Sequence, residues 1–535
     1  MAQPPPRSCP PPVRSSRPAW LAALAGLALP IGPTAALLTF GPSCDEEDVE
    51  DAYVAVARPE AVREAAHADD ELEAEPGDAP PEPPHPAAAP GEGPKVAAPE
   101  VVTRPLPIGI RGAARTIVVY AAPRHGSDMR GRIDGGSTFS VFELVSGTDC
   151  PGEGWARVDH DSYACLKNAV ADDREPVLQP LIPEGLLVPF IYAKPRADRQ
   201  GNLLVEVPRY KSKFALTQGA EPLEILAANH QYAFVEEIQI PGHGKVMLDG
   251  SEQVVPLEGL KFEKPSEFSG RELTVRPIPA GLAAAWAVSR EAVLRRQPSL
   301  KAALEGQLEY HQALDVKPEP LRGGGARWFE IPDHFGPGVS AYVEADKLRL
   351  WVDGPALDDI RDDETWVDVD LGQQTLAVMR GQQPIFVTLV SSGTGHKPNT
   401  ATPRGVYRIR NKLAYGPMRN RAEDAEDSPY HVEAVPWVQY FFRRFALHGA
   451  YWHDGFGHRK SHGCVNLSPR DARYVFERTG PQLPPGWMTA YEHGDRPGSV
   501  VRVRKGLEPS PDRRTEVEPA GEDEVLVARA EPPGV

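Results

Sequence analysis

Proline and glycine interrupt this sequence so often that few segments are long enough for an ordinary helix. The 535 residues include 58 prolines and 48 glycines, and apolar residues at helical spacing are scarce. Proline lacks the N–H group that a helix interior requires, and both residues are favoured in turns. We therefore expect a mainly β, multidomain chain of many short strands, long enough for several separate cores.

The N-terminus has the layout of an export signal. Arg7, Arg14 and Arg17 precede a long apolar run. A basic region followed by an apolar one is typical of a secretory signal, so we expect export to the periplasm or cell envelope. Residues 1–44 end at Cys44, which resembles the lipidated cysteine of a lipoprotein signal. Ordinary cleavage and an uncleaved membrane anchor are the alternatives to lipid attachment.

Most of the net charge of −17 lies near the two ends of the chain. The segment 45–105 is rich in proline and alanine and holds 17 acidic residues against four basic ones. The segment 506–535 holds eight acidic and three basic residues. Both segments have too few apolar side chains to offset the entropy of ordering, which predicts a disordered tether and a disordered tail. The remainder is nearly neutral without a basic face, so no nucleic-acid partner is expected.

Short β segments fill the sequence between the tether and the C-terminal third. Residues 113–170 alternate apolar and polar side chains between glycine and aspartate turns, the pattern of a small barrel. The order "VYAAP", "GWARV", "YAC" resembles a bacterial SH3-like domain. In that fold Cys150 and Cys165 would join adjacent strands and add roughly 3 kcal/mol. A weaker copy is expected over 285–351, and residues 171–284 are expected to be β-rich. Such domains bind cell-wall peptides or act as spacers.

A lone cysteine near the C-terminus has the surroundings of a nucleophile. Cys464 follows His462 by two residues and His448 by sixteen, and Gly463 directly precedes it. A thiol attacks as its thiolate, so an imidazole must accept the proton and backbone N–H groups must hold the oxyanion. This short stretch can supply all of these groups.

The same side chains also suit a zinc site or a buried structural thiol. His448, His453, His458, His462 and Cys464 are all types that bind zinc, but their spacing matches no usual ligand pair. A histidine-rich turn beside a glycine is also a poor site for a core thiol. We therefore expect neither a metal nor another cofactor, and interpret His453 and His458 as solvated loop residues.

Five motifs occur in order between residues 365 and 504. They are "VD…Q.L.V", "SSGTG", "TP.G.Y.I", "ALHG" and "SHGCVNLSP.DA". Together they resemble the catalytic domain of the YkuD-type L,D-transpeptidases over about a quarter of the chain. The resemblance implies a β-sandwich-like catalytic domain. After the last motif begins, Ser468 followed by Pro469 predicts the start of a helix.

The resemblance also implies a role for each residue of the site. Cys464 is the nucleophile, His448 is the general base, and the carbonyl group of Gly449 orients the other ring nitrogen of that histidine. The N–H groups of Gly463 and Cys464 form the oxyanion hole, and His462 lines the same pocket. Residues expected to support the turn or contact substrate are Ser461, Asn466, Tyr440 and Trp452. Many relatives have arginine in place of Asn466, a difference that affects substrate contacts more than the chemistry.

The reaction implied by the resemblance is acyl transfer between peptidoglycan stem peptides. Cys464 attacks the carbonyl of the third, diamino-acid residue of a tetrapeptide stem, D-Ala leaves, and an amine of a second stem resolves the thioester. Water as acceptor would give an L,D-carboxypeptidase, and a protein lysine would give a protein-to-peptidoglycan linking enzyme.

Two further alternatives are a cysteine peptidase of the NlpC type and a non-catalytic wall-binding protein. In the peptidase the cysteine precedes its histidine along the chain, whereas here His448 precedes Cys464. The intact pair of His448 and Cys464 disfavours a protein that only binds the wall.

Overall fold

The computed structural model describes residues 106–396, 400–419, 431–494 and 496–514. The predicted export signal with Cys44, the acidic tether up to residue 105 and the tail from residue 515 lie outside the described residues. Strands dominate the described part, which confirms the prediction of a mainly β, multidomain chain. Within these ranges, no helix combines the length and apolar character needed to cross a membrane.

The first eight strands form a three-stranded antiparallel sheet and one end of a 13-stranded sheet. Their orders are β4–β1–β8 and β3–β2–β7–β6–β5. Alternation along the strands buries Val119 of β2 and Phe139 of β4 in one core, and a disulfide joins Cys150 to Cys165. The SH3-like identity of this unit stays a prediction. The strands are β1 (Gly109–Ala113), β2 (Ile117–Tyr120), β3 (Met129–Ile133), β4 (Thr138–Val141), β5 (Glu143–Val145), β6 (Trp155–Asp159), β7 (Ser162–Cys165) and β8 (Ala169–Ala171).

The next region is β-rich, as its sequence predicts. It contains one short helix, α1 (Lys213–Thr217), which Ser212 caps by accepting the N–H of Ala215. Its strands are β9 (Ile191–Pro195), β10 (Pro208–Arg209), β11 (Glu224–Ile225), β12 (His230–Phe234), β13 (Glu236–Ile240), β14 (Gly244–Leu248), β15 (Val254–Pro256), β16 (Leu260–Phe262) and β17 (Arg271–Glu272).

A second two-sheet unit follows, with strands where the alternating pattern of residues 285–351 predicts them. The sheets have the orders β21–β18–β25 and β20–β19–β24–β23–β22, and they enclose a core that includes Leu294, Phe329 and Val343. Its SH3-like identity also stays a prediction. The strands are β18 (Ala283–Ala287), β19 (Val293–Arg295), β20 (Leu304–Gln307), β21 (Ala313–Val316), β22 (Leu321–Gly323), β23 (Ala326–Ile331), β24 (Ala341–Glu344) and β25 (Leu348–Leu350).

The C-terminal strands build two facing sheets. One has the order β17–β28–β27–β26–β35–β29, and the other includes β31–β30–β34 with β32 and β33 beside β31. Buried side chains from both, among them Val367, Val378, Leu447 and Val465, belong to one core. The strands are β26 (Thr365–Asp370), β27 (Thr375–Arg380), β28 (Gln383–Leu389), β29 (Gly405–Arg408), β30 (Asn411–Arg419), β31 (His431–Phe442), β32 (Phe445–Gly449), β33 (Val465–Leu467), β34 (Thr489–Tyr491) and β35 (Val500–Arg504).

One helix, α2 (Pro469–Arg478), follows β33 directly. The Ser468 side chain accepts the N–H of Asp471, and proline occupies the first turn. This start confirms the prediction from the sequence, because both features satisfy or remove N–H groups that a helix N-terminus leaves without partners. The helix buries Ala472, Val475 and Phe476, which fixes the end of the strand that precedes it.

Strands from the upstream regions extend both sheets of the C-terminal domain. β17 pairs with β28, β12 pairs in parallel with β31, and β3 pairs with β34. Three buried charged side chains also tie residues 352–355 to this domain. Asp368 accepts hydrogen bonds from Arg502 and Arg504 at 2.7 and 2.8 Å, and Arg504 also donates to the carbonyl oxygen of Val352. The upstream regions are therefore structural parts of the sheets that carry the C-terminal domain.

The predicted disorder of the tail is wrong for its first part. The N–H of Val406 on β29 donates to the carbonyl oxygen of Pro511 at 2.8 Å, and Arg513 donates back to Val406 at 2.8 Å. An ion pair at 2.6 Å joins Arg404 to Glu508. Residues 506–514 are thus held along β29, and the acidic composition concealed this backbone pairing.

Candidate active site

His448 and Cys464 come from neighbouring strands. β32 and β33 run parallel, and their register places His448 opposite Asn466 and Leu447 opposite Val465. Cys464 directly precedes β33 and therefore lies beside the start of β32. The fold thus brings together an imidazole and a thiol that are sixteen residues apart in the sequence.

His448 is buried and held by its own strand. Its side chain packs in parallel against the ring of Trp452, with 5.8 Å between the ring centroids. Nδ1 lies 3.2 Å from the carbonyl oxygen of Gly449. A carbonyl oxygen only accepts, so Nδ1 carries the proton and Nε2 is free to accept one. Burial lowers the pKa of His448 to about 4, so the ring is neutral near pH 7.

Cys464 is a half-buried free thiol. Sγ donates to the carbonyl oxygen of Arg444 at 3.6 Å. Burial raises the pKa of the thiol, while the N–H of Ala446 and the charge of Arg444 lower it to a smaller extent. Among the described residues, no hydrogen bond joins Cys464 to His448. Both groups are therefore neutral in this structure, and an attack by the thiol would require transfer of its proton.

The turn before Cys464 requires glycine. Gly463 has a φ of 126°, and a Cβ atom there would collide with the ring of Phe445. The Ser461 hydroxyl accepts the N–H of Gly463 at 3.0 Å and donates to the carbonyl oxygen of Cys464. Ser461 therefore supports the turn. The N–H of Cys464 has no acceptor within the described ranges, whereas an oxyanion role for Gly463 would require its bond to Ser461 to open.

The motifs "VD…Q.L.V", "SSGTG" and "TP.G.Y.I" are joined to this turn by hydrogen bonds. The Thr402 hydroxyl accepts the N–H of Gly393 at 2.9 Å and donates to the carbonyl oxygen of Gly463 at 2.6 Å. Gln374 makes two hydrogen bonds to Ser392, at 2.7 and 2.8 Å. The carbonyl oxygen of Ser392 then accepts the N–H groups of Lys460 and Ser461. Motifs separated by up to ninety residues thus hold one loop.

His453 and His458 are not solvated loop residues, so that interpretation is wrong. His458 donates through Nε2 to the carbonyl oxygen of Val288 at 2.8 Å. His453 accepts the N–H of Gly455 at Nδ1, and its Nε2 lies 3.0 Å from the side-chain amide of Asn466. Burial lowers the pKa of His453 to about 4. The neutral ring then donates from Nε2, so the amide oxygen of Asn466 faces it.

The other predicted site residues, Trp452, Tyr440 and His462, lie at different distances from His448. The partly buried Trp452 packs against His448 and meets Tyr451 edge to face. Tyr440 lies on β31 opposite Ala446, one strand away, and packs against the core. His462 is exposed. In the part of the chain that the structure describes, no three His, Cys, Asp or Glu side chains are grouped to hold a metal ion.

The C-terminal domain matches a known family. Residues 364–503 match YkuD, the L,D-transpeptidase catalytic domain. A curated Bacillus subtilis protein, "Putative L,D-transpeptidase YciB", is 25% identical over 130 residues, which are 22% of this chain and 63% of that protein. The chain therefore spans less than two thirds of the length of this relative. The five motifs and the family match agree in their bounds.

Several solved structures are similar to part of this chain. An L,D-transpeptidase from Stackebrandtia nassauensis is 25% identical, with 29% of this chain and 62% of that chain covered and a TM-score of 0.19. The catalytic domain of the Enterococcus faecium L,D-transpeptidase is 23% identical, with coverages of 26% and 97% and a TM-score of 0.20. The Mycobacterium smegmatis enzyme is 18% identical, with coverages of 36% and 89% and a TM-score of 0.20.

The substitution Gly463→Ala tests the turn. The added Cβ meets Phe445 at a backbone φ that L-residues rarely adopt, so we expect a loss of about 1–3 kcal/mol of stability. The rate at which iodoacetamide labels Cys464 should also change several-fold, because Gly463 directly precedes this cysteine. Gly494→Ala is the matched control, because its Cβ would meet no atom within 4 Å. Urea unfolding and peptide mass spectrometry measure both effects, and equal behaviour of the two variants would refute the requirement for glycine.

The pH dependence of Cys464 alkylation tests the neutral pair. Burial raises the pKa of Cys464 above the ordinary pKa of a cysteine thiol. The thiolate fraction, and with it the labelling rate, should therefore still be rising above pH 9. An imidazolium–thiolate pair would instead give a plateau that begins below pH 7. Iodoacetamide rates at Cys464, followed by peptide mass spectrometry with Cys464→Ser as the blank, distinguish the two profiles.

Proposed function

We propose that this protein, whose residues 364–503 match the L,D-transpeptidase catalytic domain, is a peptidoglycan L,D-transpeptidase with Cys464 as its nucleophile. The observation that carries the proposal is the free thiol of Cys464 beside β32, the strand that presents the unprotonated Nε2 of His448. The proposed acyl donor is a stem tetrapeptide, and the acceptor is an amine of a second stem.

The first half of the reaction forms a thioester. Sγ of Cys464 attacks the carbonyl carbon of the diamino-acid residue while its proton passes to Nε2 of His448. The N–H of Cys464 is available to the developing oxyanion, because it has no acceptor within the described residues. When the tetrahedral intermediate collapses, the bond to D-Ala breaks and the imidazolium returns its proton to the departing amine. Contact with the Gly449 carbonyl holds the ring in the required tautomer throughout.

The second half reverses these transfers. An amine of a second stem attacks the thioester carbon and gives a proton to His448, and the thiolate leaves and is reprotonated. The amide bond broken to release D-Ala is replaced by the new cross-link, so no nucleotide is consumed. General-base catalysis of this kind contributes about 10²–10⁴-fold. The low pKa of His448 keeps it available as a base down to mildly acidic pH.

The proposal includes export to the cell envelope, where peptidoglycan is assembled. The signal-like residues 1–44 support export, with lipid attachment at Cys44 or an uncleaved anchor as two modes of membrane association. The disulfide between Cys150 and Cys165 is compatible with an oxidising compartment. Fractionation of cells that express the full chain tests this localisation.

Incubation with disaccharide-tetrapeptides tests the reaction directly. Wild-type protein should release D-Ala and form cross-linked dimers detected by mass. Cys464→Ala should release none, and His448→Asn should slow release at least about 100-fold because the general base is lost. The exposed His243 provides the control His243→Asn, which should retain full activity.

The products also separate the alternative acceptors. Tripeptide without dimer would identify a carboxypeptidase, and attachment to an added lysine-bearing protein would identify a linking enzyme. Absence of D-Ala release, together with absence of a carbapenem adduct at Cys464, would reject catalysis and favour a wall-binding protein.

A further inference from the structure

The segment between His448 and Cys464 is held by residues from outside the matched domain. We call residues 452–458 the His453 loop. Side chains or backbone groups of Ser266, Val288, His311 and Arg349 contact it by hydrogen bonds or close charges. All four residues precede residue 364, where the family match begins.

His311 makes a contact with a buried part of the loop. Its side chain is 7% exposed, and Nε2 donates to the carbonyl oxygen of Phe456 at 3.1 Å. Nδ1 lies 3.6 Å from a carboxylate oxygen of Asp454, which also accepts from the Ser266 hydroxyl. A buried carbonyl group without a hydrogen-bond donor is destabilising, so this contact helps to fix the backbone at Phe456.

Arg349 and Val288 hold the next two residues. Nε of Arg349 donates to the carbonyl oxygen of Gly457 at 3.0 Å, and His458 donates to Val288. Gly457 has a φ of 90°, and a Cβ atom there would collide with Val288. The loop and β18 therefore approach so closely that the position of one determines the position of the other.

The contacts continue inward to the base. Phe456 is fully buried, and its ring centroid lies 6.3 Å from that of His311 and 4.9 Å from that of His453. His453 contacts the amide of Asn466, which lies opposite His448. The loop also contributes Trp452, whose ring packs against His448. A shift of the loop would therefore move two neighbours of the base.

Two contacts within the matched domain hold the other side of the loop. The Ser391 hydroxyl donates to the carbonyl oxygen of Gly455 at 3.0 Å, and the N–H of Gly457 donates to Val390 at 2.9 Å. These bonds do not involve the carbonyl groups of Phe456 and Gly457, which accept from the upstream side chains of His311 and Arg349. The loop is thus fixed from two sides, and one side belongs to β18–β25 and the chain around them.

We propose that His311 and Arg349 are positioning residues for acyl transfer at Cys464: they hold the His453 loop so that Trp452 and His453 keep the imidazole of His448 in place. This inference rests on the proposed function. Displacement of a catalytic group by about 1 Å can cost on the order of 100-fold in rate, so side chains that never touch the substrate can limit catalysis.

Full-length His311→Ala and Arg349→Ala test the proposal. The rate constant kcat for D-Ala release should fall at least about 10-fold, with KM changed less than about twofold, because the base is misplaced and substrate contacts remain. His311→Gln keeps an N–H donor for Phe456 and should recover most of the rate. The exposed residues His334 and Arg322 of the same unit supply the controls His334→Ala and Arg322→Ala, which should match wild type.

Hydrogen exchange of residues 452–458 gives a readout that does not depend on activity. Exchange should be at least about threefold faster in both alanine variants, since each removes a bond to the loop, and should be close to wild type in His311→Gln. Unchanged exchange and kcat in His311→Ala and Arg349→Ala would overturn the proposal, as would a folded His311→Gln as slow as His311→Ala. If the wild-type protein releases no D-Ala but hydrogen exchange is faster in the alanine variants, the proposed function is wrong. The contacts of His311 and Arg349 with the loop would still be supported.

Discussion

Parallel pairing of β32 with β33 is the constraint on which the candidate site depends. Parallel neighbours need a crossover of about a dozen residues or more, and most proteins use a helix for it. Here residues 450–464 make the crossover without a helix and with only an isolated bridge at Ser461. Irregular backbone must find its hydrogen-bond partners elsewhere. Three successive carbonyl groups, from Gly455 to Gly457, accept from Ser391, His311 and Arg349, which explains why distant segments converge here.

Burial at this crossover shifts the pKa values of His448 and Cys464 in opposite directions. It lowers the pKa of His448 to about 4 and raises the pKa of Cys464. Each shift disfavours the charged form, so an ion pair would be unstable before substrate arrives. In the proposed reaction, the proton of Cys464 moves only when a carbonyl carbon is within reach and the N–H of Cys464 can stabilise the developing negative charge. A half-buried thiol kept neutral in this way also reacts slowly with other electrophiles.

Short sequence motifs located the residues of the candidate site, but they did not predict the long-range contacts of those residues. The glycine-flanked Cys464, the preceding His448 and the cap at Ser468 each depend on neighbouring residues, so motifs suffice to find them. The roles of His453 and His458 depend on Asn466 and on Val288, which only the folded chain brings near. A cluster of four histidines between residues 448 and 462 was the one available signal. His311 had none, because its partner is a backbone carbonyl 145 residues away.

The family match covers residues 364–503, but the sheets that contain these residues also include strands from upstream. Without β17 and β12, the strands β28 and β31 would present unpaired backbone edges, which proteins normally cover. Residues from the same upstream part of the chain also contact α2, the helix that follows β33. Buried Asp471 in its first turn accepts from the N–H of Gly270 at 2.9 Å and from the Ser269 hydroxyl at 3.2 Å. A buried carboxyl group without these donors would be costly, so the region of residues 171–284 helps to maintain the site rather than only to space it.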